Sequence, residues 1–261
     1  MRDRMLREQG FDDCYAKVKS EENTKALQLL PQLLQELDSI RDVHTRLATA
    51  LRGVFAGNIF DLGAASTESM YHAGEMPAFN KTRQQLLPRP WIVDDLDRAV
   101  TKLGSRAHTK AIMFVDNAGA DVVLGMIPFA RELLKLGVHV VLAANTLASI
   151  NDITNAELRT LLADMDDTTV KECYADGRLR CVASGSTTCV IDLAYLSEEC
   201  VAAAQGADLV VLEGMGRAIE TNLNTRFTCD SLKLGMVKHP EVAALLGGRL
   251  YDVVCKFETA L

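Results

Sequence analysis

The sequence predicts an α/β layered fold with a mainly parallel sheet and a helical N-terminal layer. From residue 110 onward, six short runs rich in Val, Ile and Leu alternate with helical segments. This pattern is typical of strands that are buried on both faces of a parallel sheet. The first sixty residues instead carry apolar side chains at the three-to-four spacing of helices. A chain of 261 residues, 48% hydrophobic and 24% charged, suits one large globular domain or two small ones.

The N-terminal part is predicted to contain helices over 25–40 and 43–58. Pro31 interrupts the first pattern, so it either begins or kinks a helix. A Gly-containing segment at 57–66 and a polar stretch follow, and PWIVDD at 90–95 contains a possible short strand. We therefore divide the chain into a helical N-terminal region, 1–90, and an α/β core, 91–261.

The α/β core contains the apolar runs that predict its strands. Gly137 and Gly206 follow two of the predicted helices, where C-terminal glycines are common. The predicted strands are 111–116, 138–145, 178–184, 207–214, 232–237 and 252–257, and the predicted helices are 122–137, 156–165 and 195–206.

Composition and charge exclude several classes of protein. The net charge is −7, from 28 basic and 35 acidic residues, and no basic stripe predicts nucleic-acid binding. No apolar run approaches the roughly 18 residues of a membrane span, and the charged N-terminus lacks the apolar segment of a secretory signal. Seven dispersed cysteines without a C-x-x-C pair indicate a reducing compartment and argue against a cysteine zinc site. We therefore expect a cytoplasmic protein with neither a membrane nor a nucleic-acid partner.

Polar residues follow several of the predicted strands. Ligands of open α/β sheets bind beyond the carboxyl ends of the strands, so these residues are candidates for a site. Asp116 and Asn117 follow the first strand of the core, and Asp152 comes after the next strand and its connection. Their oxygens are hard ligands that suit a divalent cation. The alternative is that Asp116 and Asn117 cap a helix or hold a turn.

The segment EGMGR at 213–217 ends another strand. Gly214 and Gly216 would let the backbone approach a ligand, Arg217 would clamp an anion, and Glu213 would orient Arg217 or transfer a proton. The alternative is a Gly-rich turn with a surface salt bridge. Lys238 follows the next strand, where it either neutralises a phosphate or is a solvated lysine. The P-loop, G-x-S-x-G and H-E-x-x-H motifs are all absent from the sequence.

Two polar residues stand near the end of the second N-terminal helix. Asn58 and Asp61 lie in an otherwise apolar, Gly-bounded stretch. They either cap the helix or reach over the site from the helical layer.

Three long segments resemble the metal-dependent damage-control phosphatases, also called the DUF89 family. They are VDNAGADVVLGMIPFARELLKLGVHVVLAANTLASINDIT, ADLVVLEGMGRAIETN and LKLGMVKHPEVAALLGGRLYD. EGMGR is similar to the mark of subfamily II, which includes stand-alone plant proteins and the phosphatase domain of atypical pantothenate kinases. GNIFDLGAA and LPRPWIVDDL also resemble that subfamily, and the resemblance extends from about residue 10 to the C-terminus. Stand-alone members have a longer helical N-terminal region, so 1–90 is either a truncated or a naturally short form of it.

The resemblance implies a three-layer α/β/α sandwich with a Rossmann-like core and a bound divalent metal. Mn²⁺, Ni²⁺ or Co²⁺ is favoured, and Mg²⁺ is a further candidate. The family's metal ligands fall on Asp116, Asn117 and Asp152. Its substrate contacts fall on Glu213, Arg217 and, by looser matching, Lys238; Asn145, at a strand exit, is a further candidate.

From these residues we predict a metal-dependent phosphomonoester phosphatase, with Asp116, Asp152 and Lys238 as catalytic residues. The nucleophile is water or the Asp116 carboxylate, and we favour water. The resemblance implies 4′-phosphopantetheine, especially oxidised or damaged forms, or sugar phosphates as substrates, and a role in coenzyme A metabolism. A homo-oligomer is compatible with the sequence. The alternatives are a catalytically idle scaffold or regulatory domain of the same fold, and a carboxyl methyltransferase.

Overall fold

The computed structural model describes residues 5–6, 8–59, 79, 83, 86 and 88–261. Two π-helical segments, Asp121–Met126 and Met215–Glu220, and a 3₁₀ turn at Leu193–Tyr195 accompany the regular elements of this part of the chain. The helices are α1 (Ala16–Ser39), α2 (Val43–Ile59), α3 (Leu96–Gly104), α4 (Ile127–Lys135), α5 (Asn155–Asp164), α6 (Thr168–Ala175), α7 (Glu198–Ala204) and α8 (Pro240–Leu246). The strands are β1 (Val93–Asp94), β2 (Lys110–Phe114), β3 (His139–Ala144), β4 (Leu179–Ala183), β5 (Leu209–Glu213), β6 (Asp230–Met236) and β7 (Val253–Glu258).

The strands form one sheet in the order β1-β7-β6-β5-β2-β3-β4. Neighbours pair in parallel except for β6 and β7, which are antiparallel. Each predicted strand is present, with ends within two residues of the predicted ones, so the predicted mainly parallel α/β fold is confirmed. From β2 the chain moves outward to β3 and β4, then returns to place β5 on the other side of β2. The gap between the ends of β2 and β5 is therefore a topological switch point.

Both faces of the sheet are covered by apolar side chains. Along β2, Ala111 and Met113 join one hydrophobic cluster, whereas Ile112 and Phe114 join the other. Successive side chains of a strand point to opposite faces, so every second residue of β2 contacts the same layer. Because both faces are buried, the strand is a continuous apolar run in the sequence.

The N-terminal helices share the core of the sheet. Leu33 of α1 and Leu47, Leu51 and Phe55 of α2 are buried in the same hydrophobic cluster as Met113 of β2. The predicted boundary between 1–90 and 91–261 stays a prediction.

Several local predictions need correction. Pro31 does not begin a helix, because α1 begins at Ala16 and continues past it. The helix predicted over 122–137 is divided into a π-helical segment and α4; Pro128, near the start of α4, has no N–H to continue regular bonding. The helix predicted from 195 begins at Glu198, where the Ser197 hydroxyl caps it. Three further helices, α3, α6 and α8, have no counterpart in the prediction.

No helix in the described part of the chain is long and apolar enough to cross a membrane. The segment from residue 60 to 66, which includes Asp61, lies outside the described residues.

The shared core predicts that Leu47→Ala destabilises the helical layer and the sheet together. Leu47 has no solvent exposure, so the lost burial and the cavity should lower the free energy of unfolding by about 3 kcal/mol. Guanidinium unfolding should be followed by far-UV circular dichroism and by fluorescence of Trp91, whose ring lies 5.2 Å from that of Phe55 in α2.

The matched control is Leu245→Ala, at a position that is 86% exposed, with an expected change below about 0.5 kcal/mol. Separate transitions for the two probes would contradict the shared core.

Candidate active site

The switch point brings together residues that lie almost a hundred positions apart. Asp116 lies just beyond β2, and Glu213 is the last residue of β5. The Asp116 N–H donates a hydrogen bond to Glu213 Oε2 over 3.0 Å. Both side chains are buried, so their carboxylates form an acidic centre inside the protein.

The loops after β2 and β3 are joined through their backbones. Asp116 carbonyl oxygen accepts from the Ile153 N–H at 3.0 Å, and the Ala118 N–H donates to Asn151 carbonyl oxygen at 2.9 Å. These backbone hydrogen bonds flank an isolated antiparallel β-bridge between Asn117 and Asp152. The structure thus brings the three predicted metal ligands, Asp116, Asn117 and Asp152, to one place.

Arg217 joins these loops from the other side of the switch point. Its guanidinium donates to Asp116 Oδ1, to Asp152 Oδ1 at 2.6 Å and to Asn145 Oδ1 at 3.0 Å. The side chain is 2% exposed, so the alternative of a surface salt bridge is wrong. Burial lowers the pKa of Arg217 to about 9, which leaves the guanidinium charged at neutral pH.

The two glycines of EGMGR let this turn approach its neighbours. Gly214 has φ +100°, and a Cβ there would overlap the carboxylate of Asp116. A Cβ on Gly216 would overlap the carbonyl oxygen of Cys189, which also accepts from Arg217 at 3.4 Å. The absence of a side chain at both glycines therefore leaves room for two groups that contact Arg217, the Asp116 carboxylate and the Cys189 carbonyl oxygen.

A residue of the helical layer reaches into the site. Asn58 is buried at the end of α2, and its Nδ2 donates to Asp121 Oδ2 and Glu213 Oε1, each at 3.0 Å. Gly57 makes this approach possible, because a Cβ there would lie 2.7 Å from Ala120 carbonyl oxygen. Of the two roles predicted for Asn58, the structure favours reaching the site.

Asp121 was not among the predicted site residues. It begins the π-helical segment after β2, and its Oδ2 accepts from the side chain of Asn117 at 2.9 Å. Its place five residues after Asp116 in DNAGAD was a signal, but a carboxylate in a first turn usually serves the helix itself.

An acidic trio that shares Asp116 with the predicted ligands has the spacing of a divalent-cation site. Asp116, Asp121 and Glu213 each place a carboxylate oxygen within 4.8 Å of the others. Asp152 is a fourth buried carboxylate, and Arg217 contacts both Asp116 and Asp152. Among the described residues, the buried Oδ1 of Asn58 has no hydrogen-bond partner. Oxygen-rich donors of this kind suit hard metal ions.

The remaining candidates lie at the same edge of the sheet. Asn145 follows β3 and donates from Nδ2 to Thr188 carbonyl oxygen at 3.0 Å. Lys238 follows β6, is half-buried, and donates from its backbone N–H to Met215 Sδ at 3.3 Å. The predicted substrate contacts of Asn145, Glu213, Arg217 and Lys238 stay predictions.

Comparison with known proteins identifies the family of this chain. The model of the damage-control phosphatase ARMT1-like domain matches residues 1–254. The chain is 51% identical to the damage-control phosphatase At2g17340 of Arabidopsis thaliana, over 98% of this chain and 70% of that protein. It is 34% identical to the 4′-phosphopantetheine phosphatase of Mus musculus, over 98% of this chain but 37% of that protein.

A solved structure shares the fold. The crystal structure of a DUF89 family protein from Pyrococcus horikoshii superposes with a TM-score of 0.67 at 18% identity, covering 97% of this chain and 78% of that one. The match to the family model spans nearly the whole sequence, and the relative from Arabidopsis is more than half identical. The chain therefore belongs to the ARMT1-like damage-control phosphatase family, as its motifs predict.

Proposed function

We propose that the chain hydrolyses small phosphomonoesters with the help of a divalent metal at the ends of β2, β3 and β5. The observation that carries the proposal is that the buried guanidinium of Arg217 contacts both Asp116 and Asp152, while Asn117 forms a β-bridge with Asp152. An idle scaffold would have no need to bury these charged side chains together, because burying ionised groups costs stability.

Asp116, Asn117 and Asp152 are the proposed metal ligands. When bound, the metal supplies a Lewis acid for the phosphoryl group. We propose Mn²⁺, Ni²⁺ or Co²⁺. Asp121 and Glu213 support this set: Asp121 accepts from the Asn117 amide, which fixes the direction of its oxygen, and Glu213 accepts from the backbone of Asp116.

Arg217 and Lys238 are the proposed partners of the phosphate. Arg217 holds Asp116 and Asp152 in place, and a guanidinium has five N–H donors, enough to serve carboxylates and a phosphate oxygen together. Lys238 lies beyond the next strand, where its ammonium would neutralise charge on the transferring phosphoryl group.

Water is the proposed nucleophile. Asp116 Oδ1 accepts from Arg217 and Oδ2 accepts from Asn117 Nδ2 at 3.0 Å. Hydrogen bonds to both oxygens stabilise the carboxylate charge and lower its reactivity toward phosphorus.

The proposed substrate is 4′-phosphopantetheine, including its oxidised or damaged forms, with sugar phosphates as the alternative. The support is the name of the mouse relative, which is 34% identical to this chain. We further propose that the protein acts in the cytoplasm.

Metal removal should abolish phosphate release from p-nitrophenyl phosphate. Adding Mn²⁺, Ni²⁺, Co²⁺, Mg²⁺ or Zn²⁺ singly to the stripped protein should restore it, with Mn²⁺, Ni²⁺ or Co²⁺ most effective. Metal binding to the folded state should also raise the free energy of unfolding by about 2.7 kcal/mol at a metal concentration a hundred times the Kd. The Tm should rise accordingly. Activity of a folded, metal-free protein equal to that of the restored protein would refute the metal requirement.

Asp152→Ala should lower kcat by more than about 100-fold. Loss of a metal ligand should exceed the roughly 10- to 100-fold effect that is typical of residues that hydrogen-bond to metal ligands. The measurement is steady-state release of phosphate at saturating Mn²⁺. Asp166→Ala is the matched control, since the Asp166 side chain is 95% exposed and pairs with Lys171 on the surface. Equal activity of the two variants would show that Asp152 is no ligand.

Arg217→Lys should lower kcat/KM by about 100-fold although it keeps the positive charge. Lysine has no planar fork that can contact Asp116, Asp152 and Asn145 at once. Arg159→Lys, at a half-exposed guanidinium that contacts Cys181 carbonyl oxygen, should leave the kinetics unchanged. If Arg217→Lys lowers kcat/KM by less than threefold, the guanidinium does not have the proposed role in phosphate binding.

A further inference from the structure

Helix α1 places a buried lysine against the loop that carries Asp152. Lys19 lies one turn into α1, and its side chain is 1% exposed. Its Nζ donates to the carbonyl oxygen of Asp152 at 3.3 Å, and it forms ion pairs with Glu157 and Asp13 at 2.8 Å each. A buried ammonium is stable only when it is paired in this way.

The contacts of Lys19 hold both ends of the short segment from Asp152 to Thr154. Glu157 Oε2, which accepts from Lys19 at 2.9 Å, also accepts from the N–H of Thr154 at 2.8 Å. Thr154 and Glu157 form the capping box of α5. Lys19 therefore contacts the backbone of Asp152 directly and the residue two positions later through Glu157.

A second residue of α1 contacts the loop after β2. Asn23 lies one turn beyond Lys19, and its Oδ1 accepts from the Gly119 N–H at 2.7 Å. Gly119 has φ +76° and follows Asp116 and Asn117 by two to three residues. One face of α1 thus contacts both loops that carry the proposed metal ligands.

We propose that Lys19 and Asn23 are positioning residues that set the distance between the two ligand-bearing loops and thereby the affinity of the metal site. This inference rests on the proposed metal ligands. The two side chains are spaced four residues apart on the helix, so a rigid helical turn fixes the separation of their partners. The N-terminal layer is then part of the metal site, although it supplies none of the three ligands.

The test measures Mn²⁺ binding to the metal-free protein, from the electron paramagnetic resonance signal of free Mn²⁺. Lys19→Met and Asn23→Ala should each raise the Kd by about tenfold, the lower end of the effect of residues that orient metal ligands. Lys17→Met is the matched control, because Lys17 lies on the same helix with its side chain 88% exposed. The control should bind Mn²⁺ as the wild type does.

Folding and binding are separated by two further measurements. The Tm of each metal-free variant reports stability, and Lys19→Arg, which keeps a cationic donor, should recover most of the Mn²⁺ affinity lost in Lys19→Met. Asn23→Ala removes an uncharged acceptor, so it remains informative if Lys19→Met does not fold.

The outcomes distinguish this inference from the proposed function. Asp152→Ala should lose Mn²⁺ binding; if it does not, the metal assignment itself fails. If Asp152→Ala loses binding but Asn23→Ala and a folded Lys19 variant bind as the wild type does, the ligands stand and the role of α1 is overturned. A lower Tm with an unchanged Kd would make Lys19 and Asn23 structural residues only.

Discussion

The site depends on the burial of Arg217 between two carboxylates. A buried guanidinium has lost its water, and that of Arg217 is stable because Asp116, Asp152 and Asn145 accept its hydrogen bonds. The three acceptors come from the loops after β2 and β3, so the guanidinium holds these loops together. The glycines of EGMGR are a consequence, because a side chain at position 214 would displace Asp116.

The sheet topology explains why these charges can meet. At the switch point between β2 and β5, the loops leave the carboxyl ends of the strands in opposite directions, which is where open α/β sheets bind ligands. Helices α1 and α2 pack over the sheet and bring Lys19, Asn23 and Asn58 to these loops. Excluding water in this way strengthens every charge interaction inside the site.

Much of this arrangement can be predicted from sequence because strand exits are local features. The runs around β2 and β5 are continuously apolar, and Asp116, Asn117 and Glu213 stand directly at their ends. The contributions of Lys19 and Asp121 are not predictable in this way, and for Asn58 the sequence left open whether it caps a helix or reaches the site. Each depends on how a helix rotates against the sheet, and the periodicity of a buried helix defines its apolar stripe but not which polar residue at its margin meets a distant loop. Gly216 likewise admits Cys189, a contact that no spacing indicates.

The buried arginine and a metal do not compete for the same ligands. A carboxylate has two oxygens and about four lone-pair positions, so Asp116 and Asp152 can each accept from Arg217 and still bind a cation. The guanidinium restricts the rotation of both carboxylates, which lowers the entropy that metal binding must remove. The guanidinium contacts Oδ1 of each carboxylate, so it does not hold their Oδ2 atoms. Arg217 therefore orients the two carboxylates that the proposed metal would bind.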